Sequence, residues 1–394
     1  MIKAYYEDSS KDKFTCRIED KIIIDSNTYY LFDTAPFFPG GGGEARDEGT
    51  ANGKALVDAL ENGEKVYYSF EDEIGDIGWN VECIIDTDLR KRRSIMHTSQ
   101  HIISALFEDI LGMHTDSVHF SDTYATIDLS GSGFGEDRIA EIEDKANEIV
   151  RSCIALQFRI ADKSELGTLP LRKAIGEDID FPRLVNIPGV DLSLCCAVHA
   201  DNTGQIGMIK ILKTETKNSV VRLTFTAGSS AVNDYRMKND AILKINAMLS
   251  STTDTVVERL IKKEDDFNAL KKQFAKLKET VNSIEADRLA DSEHTLIMAE
   301  GDFDDMKSLG SLLVAKAGKA FVGIDRTQNK LIIYQNLDRP VNLIINKLKN
   351  DYDIRGGGNA LSGQMMCSDN LEEIVELVAR YFDPAEFLNT ETQE

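Results

Sequence analysis

Two pairs of potential metal ligands, about a hundred residues apart, constrain the fold of this chain more than any other feature. His97 and His101 lie in MHTSQHIISALF, and Cys195 and His199 lie in LCCAVHADNTGQIG. One thiolate and three imidazoles can complete a tetrahedron around Zn²⁺, or leave one corner open for water. If the two pairs meet, distant segments must fold around a common centre. Such a centre indicates a metal-dependent enzyme with one zinc ion per chain.

Length and composition limit the class of protein. A chain of 394 residues suggests two or three domains, and its 42% apolar and 28% charged content is typical of soluble globular proteins. No segment approaches the roughly 18 apolar residues of a membrane helix, and the N-terminus has no apolar signal core. We therefore expect a cytoplasmic protein. The net charge of −22 argues against broad nucleic-acid binding, so a nucleic-acid partner must be met at a local basic site.

The order of patterns along the chain predicts an α+β protein in four parts. Residues 1–88 contain short β-branched or alternating segments and a glycine-rich loop, which predict a small N-terminal β-barrel. Residues 89–232 mix helices and strands around the four ligands, and we predict a metal-binding α+β domain. Residues 233–290 are predicted to form a helical, coiled-coil linker. Residues 291–394 alternate strands and helices, which predicts a small α/β domain.

Each ligand pair also has a plainer interpretation. Apolar residues at helical spacing predict a helix over 94–111, which places His97 and His101 on one face. The two imidazoles could nevertheless lie on a solvated face, or be satisfied core histidines. Cys195 and Cys196 could be buried thiols beside a surface histidine. Both plain interpretations must hold together, which favours the metal site.

A run of four glycines and a basic run flank the first ligand pair. Gly40–Gly43 matches neither a Walker motif nor a dinucleotide fingerprint, and indicates either a β-turn or a close approach of backbone to a ligand. The basic run precedes the predicted helix, and could contact phosphate or form a solvated turn. It consists of Arg90, Lys91, Arg92 and Arg93.

A segment without glycine or proline, residues 235–290, carries a heptad-like seam. Its apolar residues follow a 7-3-4-3-4-3 spacing, with one charged position at Lys263. This pattern predicts a helical hairpin or a dimeric coiled coil, and hence a possible homodimer. The seam comprises Leu260, Phe267, Leu270, Phe274, Leu277, Val281 and Ile284.

These segments, in this order, resemble the editing module of alanyl-tRNA synthetases and the AlaX-type trans-editing proteins. The family reads roughly TAFYPEGGGQPSDTG, HTAxHLL, CGGTHVxNTGEIG and a strand ending in AG. This chain has TAPFFPGGGGEARDEG, HTSQHIIS, CCAVHADNTGQIG and FTAG. The C-terminal part resembles the DHH-associated domain, with three glycines at Gly356–Gly358. A phosphoesterase of the DHH class is disfavoured, because no Asp-His-His tripeptide is present.

The resemblance implies a function. It is ATP-independent hydrolysis of the ester in misacylated tRNA, namely Ser or Gly on tRNA(Ala). Because no Ser-His-Asp or Cys-His nucleophile arrangement is apparent, we hypothesise metal-assisted hydrolysis without a covalent enzyme intermediate. The resemblance also implies zinc held by His97, His101, Cys195 and His199, and a reaction site that includes Gly42, Gly43, Glu44 and Thr98. We further expect tRNA to contact the basic run and a C-terminal glycine loop, namely Arg90, Lys91, Arg92, Arg93, Arg355, Gly356, Gly357 and Gly358.

Two departures from the family pattern bear on the substrate. Glu44 stands where the family has Gln, and Cys196-Ala197-Val198 stand where it has Gly-Gly-Thr. We hypothesise that Glu44 pairs with the ammonium group of the substrate. The alternative function is a non-catalytic or altered-specificity zinc-containing tRNA-binding protein, in which these substitutions have closed the pocket.

Overall fold

The computed structural model describes residues 2–131, 133–172, 182–368 and 370–383. The chain divides into two compact units, Met1–Lys244 and Ile245–Glu394. Among the described residues, no helix is both long and apolar enough to cross a bilayer. The four-part division stays a prediction, and the two units are described separately below.

The first unit begins with a closed six-stranded barrel, which confirms the predicted small β-barrel. Strand β2 shows why it closes: its first half alternates exposed and buried residues, so Phe14, Cys16 and Ile18 face the interior. The barrel order is β2-β3-β7-β6-β5-β8. The elements are β1 (Ile2–Lys3), α1 (Ala4–Glu7), β2 (Lys13–Ile24), β3 (Asn27–Phe32), β4 (Thr34–Ala35), β5 (Gly49–Ala51), β6 (Lys54–Asn62), β7 (Lys65–Phe70) and β8 (Asn80–Ile85).

The rest of the first unit is a mixed α+β region built on two antiparallel sheets. One sheet has the order β14-β15-β10-β9 and the other β11-β12-β13. Two helices, α2 and α3, share an apolar core with the larger sheet. The elements are α2 (Thr87–Leu111), β9 (Thr115–Phe120), β10 (Ala125–Ser130), α3 (Glu136–Arg151), β11 (Gln157–Ile160), β12 (Arg183–Ile187), β13 (Asp191–Leu194), β14 (Ile209–Lys217) and β15 (Val220–Ala227).

Helix α2 begins at Thr87, seven residues before the predicted start at 94. The side chain of Asp86 accepts a hydrogen bond from the Leu89 amide, which caps the helix, and Gly112 ends it in the left-handed conformation. The apolar residues at helical spacing begin only where the helix packs on the core. A prediction based on this spacing therefore omits the first two turns of α2. The basic run therefore lies within the helix, and not in a turn before it.

Two long helices cover most of the predicted linker, α4 (Gly228–Leu249) and α5 (Val256–Ala290). The heptad-like seam lies on α5, as predicted. Its seven side chains are 55–65% exposed, so within the described chain they have no apolar cover. The far end of α5 behaves differently, because Ala286 is fully buried in the core of the second unit.

The second unit is a five-stranded mixed sheet of order β16-β17-β18-β20-β19 with helices α6, α7 and α8. The predicted glycine loop at Gly356–Gly358 is wrong: these residues form the edge strand β19. An added Cβ at Gly356 would lie 2.2 Å from the Gln364 carbonyl oxygen, so glycine here permits close strand pairing. The elements are β16 (Leu296–Glu300), α6 (Phe303–Lys316), β17 (Ala320–Asp325), β18 (Lys330–Gln335), α7 (Val341–Asp351), β19 (Ile354–Gly358), β20 (Ser362–Cys367) and α8 (Leu371–Phe382).

Candidate metal centre

The two predicted ligand pairs meet in the first unit. Helix α2 presents His97 and His101 from consecutive turns, with ring centroids 5.3 Å apart. Cys195 follows β13, and its Sγ lies 3.3 Å from Nε2 of His97. The ring of His199 lies 4.9 and 4.8 Å from those of His97 and His101. One ligand atom from each of the four residues fits within 4.8 Å of the others, a separation that one metal ion can bridge.

Each imidazole has a different neighbour beside Nδ1. Glu44 Oε2 lies 3.1 Å from Nδ1 of His97, and Asp191 Oδ2 accepts a 2.8 Å hydrogen bond from Nδ1 of His101. Thr98 Oγ1 lies 3.2 Å from Nδ1 of His199. Metal-bound histidines commonly carry such partners, which fix the ring and direct Nε2 toward the metal.

The contacts of Thr98 decide which nitrogen of His199 carries the proton. Its hydroxyl hydrogen is donated to the Ser94 carbonyl at 2.8 Å, so Oγ1 must accept from Nδ1–H of His199. The opposite nitrogen, Nε2, then carries a lone pair. It is buried and has no hydrogen-bond partner within the described chain. A buried lone pair directed at a thiol and two other imidazoles fits a bound zinc ion.

The electrostatics of the cluster suit a cation. Burial alone would raise the pKa of Cys195, but the neighbouring imidazoles, His97 foremost, hold this pKa well below its usual value. Burial lowers the pKa of His199 to about 3, so this imidazole is neutral near pH 7. A thiolate and a neutral imidazole are the ligand forms that zinc requires. Burial alone would lower the pKa of His97, but the Cys195 thiolate and Glu44 raise this pKa to about 10, so a bound zinc ion would have to displace the proton of this ring.

A cavity of about 340 Å³ opens onto the cluster. Its wall includes three of the four ligands, His97, His101 and Cys195, together with Gly42 and Gly43. The turn that carries these glycines is closed by reciprocal backbone hydrogen bonds between Gly41 and Glu44, at 3.0 and 3.1 Å. All four glycines of the turn have positive φ, from +63° to +141°, which explains the glycine run.

Two residues expected at the reaction site lie behind it. Thr98 is fully buried and does not line the cavity; it holds His199. Glu44 is 7% exposed and is likewise absent from the cavity wall, because its carboxylate faces the far side of His97. The structure therefore does not support Glu44 as a partner of the substrate's ammonium group. The departures at Ala197 and Val198 are also buried, in the barrel core.

The basic run divides into buried and exposed members. Arg90 is 1% exposed and pairs with Asp47, so its predicted contact with tRNA is wrong. Arg93 is half-buried and donates to the Arg46 carbonyl at 2.6 Å. Lys91 and Arg92 are exposed and border a shallow groove of about 700 Å³. The other predicted tRNA contacts, Arg355 and Gly356–Gly358, lie on β19 in the second unit.

The loop that carries Cys195 is fixed by Arg183, a residue that the sequence did not indicate. Its guanidinium donates to the carbonyls of Cys195 and Ala197 at 3.1 and 3.0 Å. It also lies 4.0 Å from the ring centroid of Tyr6 and 4.7 Å from that of Phe158. The ligand loop is therefore held through its backbone, by contacts that do not involve the four ligand side chains.

Asp191 and Phe120 were also missed from the sequence. Asp191 holds His101, and the ring of Phe120 stacks on that of His97 at 4.8 Å. Neither residue belongs to a motif, and both reach the centre only through the pairing of distant strands. The NTGQIG segment and the strand spacing gave no information about them.

Comparison with known proteins places the chain among tRNA-related sequences. Residues 183–223 match the family described as the threonyl and alanyl tRNA synthetase second additional domain. This stretch contains both Cys195 and His199. A solved structure of RecJ in complex with Mg²⁺ from Thermus thermophilus is 14% identical, and the match covers 36% of this chain and 23% of that one. Its TM-score of 0.24 is too low to indicate a shared fold.

Longer matches are to alanine–tRNA ligases of archaea. The ligase of Methanobrevibacter smithii is 29% identical over 304 residues, covering 73% of this chain and 34% of the ligase. Those of Methanococcus aeolicus and Halorubrum lacusprofundi are 24% and 26% identical, covering 91% and 82% of this chain and 41% and 37% of the ligases. The chain thus spans well under half the length of these relatives. Since the matches run along most of its residues, the chain is similar to part of the archaeal alanine–tRNA ligases, which supports the resemblance to AlaX-type proteins.

Proposed function

We propose that this chain is a zinc-dependent aminoacyl-tRNA deacylase that removes Ser or Gly from tRNA(Ala). The observation that carries the proposal is the meeting of His97, His101, Cys195 and His199 beside an open cavity. The similarity to alanine–tRNA ligases supports tRNA as the substrate class. A zinc ion held by these four residues would polarise or position the ester carbonyl.

The cavity has the size and chemistry for the aminoacylated end of tRNA. Its volume of about 340 Å³ lies in the range of small-ligand sites. Polar groups from α2 and β9 line it, and Ser104 accepts hydrogen bonds from Gln100 at 2.8 Å and from Thr115 at 2.7 Å. These side chains can orient the bound amino acid, while the backbone at Gly42 and Gly43 can approach it closely because no Cβ intervenes.

The reaction we propose is direct hydrolysis. An aminoacyl ester is already activated, so the site must mainly orient the ester and a water molecule and stabilise developing charge. The water oxygen bonds to the acyl carbon, the bond from that carbon to the ribose oxygen breaks, and the ribose oxygen takes a proton. No covalent link to the enzyme forms in this scheme.

The body of tRNA is proposed to contact two exposed basic places. Lys91 and Arg92 border the groove of about 700 Å³ in the first unit, beside Gly207 and Ser229. In the second unit, Arg355 and the three glycines of β19 remain a proposed contact, now as an edge strand with accessible backbone. Phosphate contacts of this kind fix register without reading sequence.

The exposed seam of α5 supports a homodimer. Seven apolar side chains at heptad-like spacing are each more than half exposed, which is costly for a helix in water. We propose that a second copy of the chain covers them. The spacing matches the a and d positions of a coiled coil, so the same seam can serve both partners.

A deacylation panel tests the function. Ser-, Gly- and Ala-tRNA(Ala) and unrelated aminoacyl-tRNAs are incubated with the wild type, with His97→Ala and with His119→Ala. His119 is an exposed histidine on β9 outside the cluster, so its variant is a matched control. We expect hydrolysis of Ser- or Gly-tRNA(Ala) by the wild type and the control, and its loss in His97→Ala. A wild type that binds zinc but hydrolyses none of these substrates would favour the alternative of a non-catalytic tRNA-binding protein.

A further inference from the structure

Two buried carboxylates stand directly behind two of the proposed metal ligands. Glu44 is 7% and Asp191 5% exposed, although acidic side chains are rarely buried without a specific partner. Each lies against Nδ1 of one imidazole, at 3.1 Å for His97 and 2.8 Å for His101. We propose that Glu44 and Asp191 are positioning residues that hold these imidazoles in the tautomer and orientation required for metal binding. The inference rests on the metal site of the proposed function.

Asp191 is held rigidly in this role. Its Oδ2 also accepts a hydrogen bond from Ser193 at 2.9 Å, and its Oδ1 accepts one from Nε of Arg172 at 2.9 Å. Arg172 is itself clamped to Asp109 by two hydrogen bonds, at 2.8 and 3.0 Å. The carboxylate therefore cannot turn away from His101 without breaking a network that joins the start of β13 to α2.

Glu44 is held by its backbone instead. It closes the glycine turn through the reciprocal bonds with Gly41, which direct the side chain toward His97. Within the described chain, neither Glu44 Oε2 nor Nδ1 of His97 makes a hydrogen bond, although both are buried and lie 3.1 Å apart. A small reorientation of either side chain would let each satisfy the other. The role in metal binding replaces the recognition of substrate that the sequence suggested for Glu44.

Conservative substitution of the two positioning residues, Glu44 and Asp191, should affect metal binding differently. In Glu44→Gln, the amide oxygen can still face Nδ1–H of His97, because only one contact of the carboxylate is used. In Asp191→Asn, one of the two oxygens becomes an NH₂ group. That group must then face either His101 and Ser193 or the Nε–H of Arg172, all of which donate.

The experiment measures the zinc affinity of the full-length protein by competition with a chromogenic chelator, and the Co²⁺ absorption spectrum. Loss of the outer partner of a metal ligand typically lowers metal affinity about 10–100-fold. We expect losses in this range for Glu44→Ala, Asp191→Ala and Asp191→Asn, and an affinity within about threefold of wild type for Glu44→Gln. The Co²⁺ spectra of the weakened variants should change in shape, because the ligand rings are no longer held.

Glu143→Gln is the matched control, since Glu143 is a partly buried carboxylate of α3 whose hydrogen bonds, at 2.7 Å from Nζ of Lys210 and 2.7 Å from the Ile211 amide, involve no proposed ligand. Urea unfolding of the metal-free proteins identifies a merely structural role, which would lower stability without changing the zinc affinity of the folded protein. Affinities of Glu44→Ala and Asp191→Ala within twofold of the control would overturn the inference. A wild type that binds zinc but hydrolyses no aminoacyl-tRNA contradicts only the proposed function. The positioning role of Glu44 and Asp191 is still supported in that case if their variants lose zinc affinity.

Discussion

Replacement of Arg90 by alanine should destabilise the first unit severely, although Arg90 belongs to a run of basic residues that sequence reasoning assigned to the surface. Its Nε and Nη2 donate to Oδ2 of Asp47 at 3.0 and 2.5 Å, and Nη2 also donates to the Pro36 carbonyl at 2.8 Å. The side chains of the pair are only 1% and 4% exposed. This pair joins α2 to the segment that follows the glycine turn.

The magnitude follows from what alanine leaves behind. Asp47 would stay buried with one remaining donor to its side chain, the amide of Phe38 at 2.6 Å. Removal of one partner from a buried ion pair typically costs about 3–5 kcal/mol, because the other charge is left without compensation. With a urea dependence of about 2 kcal/mol per molar, the unfolding midpoint should fall by roughly 1.5–2.5 M.

The assay uses the single tryptophan of the chain. Trp79 lies in the barrel region next to Gly75, so its fluorescence during urea titration follows the first unit. The control is Arg92→Ala, an exposed arginine in the same helix, for which we expect a change within about 0.5 kcal/mol. The double variant Arg90→Met with Asp47→Leu should recover part of the lost stability, since it removes both buried charges.

One result would refute this reasoning. If Arg90→Ala loses no more stability than Arg92→Ala, the buried pair does not hold the turn against α2. If Arg90→Ala instead binds tRNA more weakly but unfolds at the wild-type urea concentration, the predicted contact of Arg90 with tRNA would be supported. The opposite pattern is expected for Arg92→Ala, namely weaker tRNA binding with normal stability, because its charge is exposed beside the groove.

Three further predictions concern the seam, the glycine turn and the metal. Leu270→Asp, in the centre of the exposed seam, should convert a dimer to a monomer in sedimentation experiments; a wild type that is already monomeric would contradict the proposed coiled coil. Gly41→Ala should cost about 1–3 kcal/mol in thermal unfolding, because φ is +141° and the added Cβ would lie 3.2 Å from Cys196 Sγ. Gly167→Ala, at an exposed glycine without positive φ and with open space around it, is the control and should be nearly neutral. Removal of zinc by a chelator should lower the unfolding temperature, by the equivalent of about 2.7 kcal/mol at a free zinc concentration of 100 Kd, and an unchanged calorimetric midpoint would argue against a bound metal.

Local sequence patterns were sufficient for much of the framework. The first half of β2 and the whole of β8 alternate in burial, and α2 and α5 carry apolar residues at helical spacing. The four glycines at Gly40–Gly43 require a backbone that only glycine readily adopts. The i, i+4 spacing of His97 and His101 likewise places both rings on one face of α2, with centroids 5.3 Å apart. Each of these features depends on residues close in sequence, whose geometry is set by the helix, strand or turn itself.

Where the sequence failed, the missing information lay in distant contacts. Gly356–Gly358 suggest a loop by composition, but pairing with β20 makes them a strand. Arg90 and Arg92 are the same residue type two positions apart, yet one is buried against Asp47 and the other faces solvent. No local pattern distinguishes them, because the distinction depends on which side of α2 meets the barrel.

The sequence by itself determined which residues can bind a metal and that their spacing suits one. Only the tertiary structure decided how the ligands are held: Glu44 comes from the glycine turn, Asp191 from β13, and Arg183 from β12. These partners lie far from His97 and His101 in sequence and follow no periodic rule. Ligand identity is a property of side-chain chemistry, whereas ligand orientation depends on hydrogen bonds between segments that meet only after the chain has folded.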